Sequence, residues 1–309
     1  IDHKKAQGDM RPDFCRWHPK DAGKLYKYEG NELRLYDIRD LSYVVLHKFA
    51  EYSRIGLPGG DGNLVSDDGR YWLLAGSREG MPDLSDVFAY DLIDNRKGAV
   101  KDWTVDLGKR DFYQEAREGT SVDYMTMSPS GEYILVFFRG EGRERYRGTE
   151  LYDRDWKFLG QLAPFQNHND RGWDPEGREI VIMGTPGNCP EFSQEWKTNL
   201  GDIVSIRIPD GKVTVLARTR YVRKNLATFP PLSKRYVYIA FQHNTRVDPA
   251  KNWCPYWLEI VEVPLDGSQK IRRLCHHRSF VNIFRGECQI YPNHAGTKVF
   301  FKSNFGRSF

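Results

Sequence analysis

Five polar residues stand together just before a predicted strand, in the segment QNHNDRGWDPEGREIVI at residues 166–182. They are Asn167, His168, Asn169, Asp170 and Arg171. Neither a turn nor a strand requires so many hydrogen-bonding and titratable groups in succession. Imidazole side chains carry protons near neutral pH, and guanidinium groups neutralise carboxylates. The segment therefore indicates proton transfer beside an anionic group, with His168 as a proton carrier.

Side chains of the same kinds recur in other segments that connect predicted strands, such as RTRYVRKN, FQHNTRVDP and LCHHRSFVNIFRGEC. Taken singly, each is also compatible with packing or with a solvated charge, and their convergence is what favours function. Four of them are candidate catalytic residues, His168, Tyr221, Arg223 and His243. Five are candidate substrate-binding residues, Asn169, Arg171, Arg246, Trp253 and Arg285.

A metal site is an alternative use of the histidines. His168 and His243 together with His276 or His277 could supply three nitrogen ligands, and Cys275 or Cys288 could supply sulfur. Candidate ligands so scattered along the chain have no diagnostic spacing. A divalent ion such as Zn, Ca or Mn, held by His276, His277 and Cys275, stays open as a prediction. No organic cofactor is expected, since no nucleotide-binding loop is present.

The elements that would position these side chains follow a repeated pattern. A turn and then a strand of alternating apolar residues recur at intervals of about 46 to 62 residues, a period typical of propeller blades. The residues just before these strands are Gly69, Gly131, Gly177, Lys234 and Gly296. Four antiparallel strands per repeat make a blade. We therefore predict an all-β propeller of six or seven blades, seven being favoured, as a single domain over residues 1–309.

The strand order within a blade predicts where the candidate side chains lie. Third strands are predicted at 86–94, 148–155, 202–211 and 256–267, and fourth strands at 103–107, 157–163, 213–219 and 271–277. Connections between blades and loops between second and third strands share one edge of a propeller, whereas the hairpin turns occupy the other. The candidate residues fall in the former class, so we expect them around one mouth. His18 and His294 fall in turns at the opposite edge.

Bulk properties exclude several classes of partner. The net charge is +4 in 309 residues, and the basic residues are scattered, so no nucleic-acid partner is expected. No apolar run approaches the roughly 20 residues that span a bilayer, so no membrane partner is expected either. Five cysteines, an odd number without CxxC spacing, argue against a disulfide framework and against a classical zinc knuckle. The chain begins at Ile1, which is compatible with removal of an upstream signal, and we expect a monomer.

From residue 165 onward the chain also resembles a known group of enzymes. Over nearly the whole chain, the turn-and-strand repeats resemble TolB-type propellers. The segments NHNDRGWDPEGREIVI, WLEIVEVPLDGSQKIRRLCHHRS and FFKSNFGR look like blades of propeller-type polysaccharide lyases, the oligogalacturonate and ulvan lyases. The resemblance implies cleavage of a uronic-acid glycan of ulvan or rhamnose–glucuronate type, and a secreted or periplasmic location. The oligogalacturonate branch holds a metal with His and Gln, and no matching set is found here.

Such a β-elimination needs defined groups. Removing the proton at C5 of a uronic acid places negative charge on the neighbouring carboxylate, which Arg, protonated His or a metal must neutralise. His168 and His243 are assigned as base or acid and Tyr221 as the other proton carrier. Arg223, Arg171 or Arg285 is the neutralising group. No pair of carboxylates typical of glycosidases is evident, which favours elimination over hydrolysis. Two alternatives to a lyase stay open. One is a non-catalytic TolB-like propeller that binds a glycan or a protein, and the other is a glycoside hydrolase on the same fold.

Overall fold

The structure is a computed structural model. It describes residues 15–18, 20–59, 63–108, 121–185, 198, 201–218, 225–228, 234–241, 258–279, 288, 290–293 and 296–303. These residues are almost entirely β-structure, with 22 strands and a single helix of five residues among them. The chain divides into two compact units, Ile1–Gln161 and Leu162–Phe309.

Unit 1 contains three four-stranded antiparallel sheets, in each of which the strands pair in chain order. The first sheet consists of β1 (Cys15–Trp17), β2 (Lys24–Glu29), β3 (Glu32–Asp37) and β4 (Tyr43–Lys48). The second consists of β5 (Arg54–Gly56), β6 (Tyr71–Ser77), β7 (Asp86–Asp91) and β8 (Arg96–Asp102). The third consists of β9 (Val122–Met127), β10 (Tyr133–Phe138), β11 (Gly148–Asp153) and β12 (Phe158–Ala163), the last of which carries the boundary between the units.

Unit 2 repeats this arrangement. Its first sheet consists of β13 (Asn169–Trp173), β14 (Glu179–Gly184), β15 (Ile203–Arg207) and β16 (Val213–Ala217). Its second consists of β17 (Asn225–Thr228), β18 (Tyr236–Phe241), β19 (Glu259–Pro264) and β20 (Arg272–His276), and β21 (Ile290–Pro292) pairs with β22 (Val299–Phe301). The first strands β13, β17 and β21 are spatial neighbours, as the blades of a propeller require.

Each predicted turn lies between the first and second strands of a sheet. Gly131 and Gly177 illustrate the reason, since both have φ of 77°, a left-handed conformation that residues with a Cβ rarely adopt. In the DPEG turn, Asp174 Oδ1 accepts hydrogen bonds from the backbone N–H groups of Glu176 and Arg178. Local turn chemistry thus closes the hairpins where the sequence predicts them.

One strand prediction was wrong. Residues 103–107 form α1 (Trp103–Leu107), and the fourth strand of that sheet is β8, which ends at Asp102. Asp102 Oδ1 accepts hydrogen bonds from the Thr104 backbone N–H at 2.8 Å and from its hydroxyl at 2.5 Å, which caps a helix and not a strand. Trp103 and Leu107, one helical turn apart, are the buried residues of α1, and Val105 is 80% exposed.

The cores of the two units differ in composition. Unit 1 buries large aromatic side chains between its sheets, including Trp72, Phe88, Trp103, Phe138 and Tyr152. In unit 2 the corresponding cluster consists of aliphatic residues, such as Ile182, Ile239 and Val261, with Phe241 as its one large ring among the described residues. Second and third strands such as β6, β7, β10 and β14 supply both cores. They are buried at nearly every position, because both faces of these central strands are covered.

No helix within the described ranges has both the length and the apolar character needed to span a membrane.

Candidate functional site

The candidate residues that the structure describes lie in unit 2, at the edge of its sheets where the first and third strands begin. In any sheet, this edge is hereafter called the starting edge. His168 directly precedes β13, in the connection from β12, and its side chain is exposed. The neighbouring Asn167 fixes this connection. Its Oδ1 accepts a hydrogen bond from the His168 backbone N–H at 2.8 Å, and its Nδ2 donates to the carbonyl of Gly184 at 2.9 Å. The backbone of His168 is therefore tied to the end of β14, while its imidazole faces solvent.

The other polar residues of this segment have structural contacts. Asn169 Nδ2 donates to the Asn167 carbonyl at 3.1 Å, and Asp170 Oδ1 accepts from the Arg171 backbone N–H at 2.8 Å. Arg171, predicted to bind substrate, is only 4% exposed on β13. Most of the polar groups that set this segment apart thus hold the start of the strand, and His168 is the one with an exposed side chain.

The adjacent His276 and His277 have opposite environments, as expected for neighbours on a strand end. His276 is exposed at the end of β20, and its Nδ1 accepts from the Arg278 backbone N–H at 3.3 Å. His277 is fully buried. Its Nε2 lies 2.7 Å from the carbonyl of Phe241, and its Nδ1 accepts from the Ser279 backbone N–H at 3.0 Å. Nδ1 is therefore the acceptor and Nε2 the donor, and burial lowers the pKa of His277 and keeps it neutral.

These contacts bear on the predicted metal ligands. Both ring nitrogens of His277 are engaged by backbone groups, which leaves neither for a metal ion. Cys275 is exposed, with a pKa raised by partial burial, whereas Cys288 is buried and its pKa is raised to about 12 by desolvation, so both favour the thiol over the metal-binding thiolate. Across the described residues, no three His, Cys, Asp or Glu side chains converge as a metal would need.

The remaining predicted site residues fall outside the described residues. They are Tyr221, Arg223, His243, Arg246, Trp253 and Arg285. The structure therefore brings His168, Asn169 and Arg171 together at the start of β13, and it places Cys275, His276 and His277 at the end of β20. Their convergence with the other six stays a prediction.

Sequence reasoning missed a set of acid–arginine pairs at the starting edges of four sheets. The acid stands at or just before the start of the third strand in three of the pairs, and Glu150 is the third residue of β11. The pairs are Asp86–Arg78 at 2.8 Å, Glu150–Arg145 at 3.0 Å, Asp202–Arg218 at 3.2 Å and Glu259–Arg273 at 3.3 Å. Asp86, Glu150 and Asp202 are buried. The sequence carries a signal for these acids, because aligning the repeats places an acid within the first three residues of these third strands or directly before them.

The Asp86–Arg78 pair in the second sheet has additional polar partners on both sides. Arg78 also bonds Asp102 at 2.5 Å, and the Tyr52 hydroxyl hydrogen-bonds Asp86. Burial raises the pKa of Asp86 even though Arg78 opposes the shift, and burial next to Asp86 raises the pKa of Tyr52. A buried carboxyl with a perturbed pKa often marks an active site. Since equivalent pairs recur in other sheets, we interpret this one as part of the blade architecture.

Comparison with known proteins adds evidence on the fold. No protein-family model matches the chain, and no curated protein matches it. Among solved structures, an oligogalacturonate lyase in complex with manganese is similar with a TM-score of 0.56 and 10% sequence identity, over 95% of this chain and 73% of that chain. The chain is a multi-blade β-propeller.

Two further similar structures come from Bacteroides thetaiotaomicron. An auxiliary nutrient binding protein has a TM-score of 0.37 and 10% identity, over 86% of this chain and 57% of its own. A structural genomics protein of unknown function has a TM-score of 0.35 and 10% identity, over 82% of this chain and 57% of its own. At such TM-scores neither likeness bears on function.

Proposed function

We propose that this propeller is a polysaccharide lyase that cleaves a uronic-acid-containing glycan of ulvan or rhamnose–glucuronate type by β-elimination. The observation that carries the proposal is His168, whose backbone is fixed by Asn167 while its imidazole is exposed at the starting edge. The fold supports it, because a solved propeller of the same architecture is an oligogalacturonate lyase.

The elimination assigns a role to each candidate. A base, His168 or His243, takes the C5 proton, and the C4–O bond breaks with its electron pair passing to the leaving oxygen. The other histidine or Tyr221 donates a proton to that oxygen, and a C4–C5 double bond remains in the sugar. Proton transfer of this kind contributes about 10²- to 10⁴-fold to the rate.

The carboxylate of the substrate needs a cation as charge develops on it. Arg171 is buried on β13, so we assign this role to Arg223 or Arg285. A divalent metal, such as the manganese of the similar lyase, would supply the same neutralisation. The described members of the candidate metal set do not fit such an ion, because His277 is fully engaged and no triad of ligands forms among the described residues.

The decisive experiment follows ultraviolet absorbance of the unsaturated uronate while the protein acts on ulvan, polygalacturonate or glucuronan. We expect an increase with at least one of these glycans. His168→Ala should reduce the rate at least about 100-fold, the lower range for general acid–base catalysis. His18→Ala, which removes an imidazole outside the candidate site, in the turn between β1 and β2, is the control and should retain the rate.

Other outcomes distinguish the alternatives. Release of reducing ends without the absorbance increase would identify a glycoside hydrolase instead. Binding of a glycan with neither signal would identify a non-catalytic binding propeller. A His168→Ala variant as active as the wild type would remove His168 from the mechanism.

A further inference from the structure

A groove of about 330 Å³ lies in unit 1, at the edge of its sheets where the second and fourth strands begin. One wall is β8, the outermost strand of the second sheet, with Arg96 at its first position. The other wall is the turn before β12 in the third sheet, which contributes Arg154 and Asp155. We call this the Arg96–Arg154 groove. Its volume falls at the low end of the roughly 300–1,000 Å³ that small-ligand sites occupy.

Two contacts hold Arg154, and neither is with a carboxylate of the described residues. Its guanidinium lies 3.9 Å from the centre of the Tyr71 ring, and its Nη1 donates to the Gly131 carbonyl at 3.2 Å. Arg96 is exposed, and neither it nor Arg154 forms an ion pair among the residues that the structure describes. The groove therefore holds two guanidinium groups that form no ion pair with a carboxylate of the described residues.

All but one of the other charged side chains around the groove already have ion-pair partners among the described residues. Asp91 pairs with Arg70 at 2.7 Å and accepts the backbone N–H groups of Ile93 and Asp94, and Lys97 pairs with Glu51. Asp155 is exposed, and its carboxylate pairs with no cation in the described part of the chain. A ligand would thus meet two guanidinium donors and one carboxylate acceptor.

The floor of the groove is made of small residues at a β-bulge. The pairing of β7 with β8 shifts between Phe88 and Tyr90, so that Ala89 faces both Gly98 and Ala99. A Cβ on Gly98 would lie 2.9 Å from the Ala89 carbonyl oxygen, closer than packing allows. Small residues here leave the space above the strands open between the two arginines.

Unit 2 has a groove at the equivalent position, and it serves as an internal comparison. It lies between the outer strands β15 and β16 of one sheet and the turn before β20 of the next, with a volume of about 130 Å³. There Arg207 Nε bonds Asp210 at 2.8 Å and Arg178 Nε bonds Asp174 at 2.6 Å. The fold alone therefore makes such grooves, but it does not require arginines without acidic partners.

We propose that the Arg96–Arg154 groove binds a carboxylate-bearing oligosaccharide at a site that is not catalytic. A planar guanidinium forms paired hydrogen bonds with a sugar carboxylate, and Asp155 accepts hydrogen bonds from sugar hydroxyls. A simple inorganic anion would gain nothing from Asp155, whose charge repels it. The proposal depends on this groove and not on elimination at His168, which belongs to unit 2.

Calorimetric titration with trigalacturonate and with a glucuronate trimer tests the proposal. We expect both trimers to bind the wild-type protein. The Kd should rise roughly tenfold or more in Arg96→Gln, because a charge-assisted contact is lost. Arg154→Gln should raise the Kd by a similar factor. Arg154→Lys keeps the positive charge but lacks the planar pair of N–H donors, so its affinity should lie between those of the wild type and Arg154→Gln. Arg207→Gln, in the equivalent groove of unit 2, is the matched control and should bind the trimers with the wild-type affinity. Methyl-esterified trigalacturonate, which has the same shape without charge, should not bind there.

Several results would overturn the proposal. Identical titrations of the wild type and Arg96→Gln would do so, since Arg96 is exposed and its replacement does not disturb the core. Equal binding of the methyl ester, or inorganic sulfate binding as tightly with the same dependence on Arg96, would exclude a carboxylated-sugar site. The absorbance assay reads the proposed lyase activity separately, so failure of one proposal does not imply failure of the other.

Discussion

At the scale of single residues, hydrogen-bond partners separate structural from functional side chains of the same type. Asn167, Asn169 and Asp170 are all polar, yet each has at least one side-chain bond to backbone within two residues. His168 stands among them with an exposed imidazole. His276 and His277 show the same contrast at the end of β20. Exposure at a fixed backbone position is what makes His168 the candidate for proton transfer.

The burial of His277 predicts a pH dependence of stability. Its pKa is lowered below the 6.5 of an exposed histidine, so the unfolded chain binds the proton more readily than the folded chain. Stability is then full above pH 6.5 and decreases as the pH falls below that value, by about 1.4 kcal/mol for each unit of pKa shift. Urea unfolding at a series of pH values between 5 and 8 measures this loss.

Two variants control that measurement. His277→Gln should be less stable at all pH values, because it loses a backbone contact, but its stability should vary less with pH below 6.5. His276→Gln should keep the wild-type pH dependence, since His276 is exposed. If the wild type and His277→Gln show the same dependence on pH, His277 is not responsible for it.

At the scale of elements, the turn between first and second strands can be tested with two glycines of equal φ. Gly131 and Gly177 both have φ of 77°, so alanine strains both turns by about 1 kcal/mol. A Cβ at Gly131 would also lie 2.7 Å from Tyr71 Cδ2, whereas at Gly177 the nearest such atom is Lys234 Nζ at 3.8 Å. Thermal and urea unfolding should therefore show a larger loss in Gly131→Ala than in Gly177→Ala. Equal losses would mean that φ strain alone determines the cost.

The same turns explain why the fold was largely predictable from the sequence. Glycine in a tight turn followed by alternating apolar residues is a local signal, and it recurs at Gly69, Gly131, Gly177 and Gly296. The segment at 103–107 was mispredicted because Trp103, Val105 and Leu107 alternate like a strand. Trp103 and Leu107 are also one helical turn apart, and the Asp102 cap selects the helix.

The candidate site was less predictable, for a physical reason. The repeat pattern alone predicts the strand order, and the strand order places His168 and His276 at starting edges. The orientation of each side chain depends on backbone groups distant in sequence, as with the Phe241 carbonyl that engages His277 across 36 positions. No periodic signal in the sequence carries that information.

At the scale of the whole molecule, repetition distinguishes architecture from function. Acid–arginine pairs occur at or near the heads of third strands in both units, so we interpret them as part of the blade. The exposed His168 does not recur at equivalent described positions. The arginines of the equivalent groove in unit 2 pair with acids, whereas Arg96 and Arg154 form no ion pair among the described residues. In a repeat protein, departures from the repeat are where selection for binding or catalysis is most readily recognised.

If the acid–arginine pairs are architectural, removing their acids should destabilise the chain whichever unit carries them. Glu150 is fully buried and accepts bonds from Arg145, from the Tyr146 backbone N–H at 2.6 Å and from the Tyr152 hydroxyl at 2.6 Å. Glu150→Ala should lower the free energy of unfolding by at least about 2 kcal/mol, because these donors lose their acceptor. Asp202→Ala, in unit 2, should also be clearly destabilising.

Glu144 provides the matched control for Glu150. It pairs with Arg147 at 3.5 Å but its side chain is 74% exposed, so Glu144→Ala should cost no more than about 1 kcal/mol. Urea unfolding followed by circular dichroism gives all three values. A small cost for both Glu150→Ala and Asp202→Ala, comparable with that of Glu144→Ala, would contradict an architectural role. The buried acid at Asp86, with its raised pKa and its bonds to Tyr52 and Arg78, would then become a second candidate for catalysis.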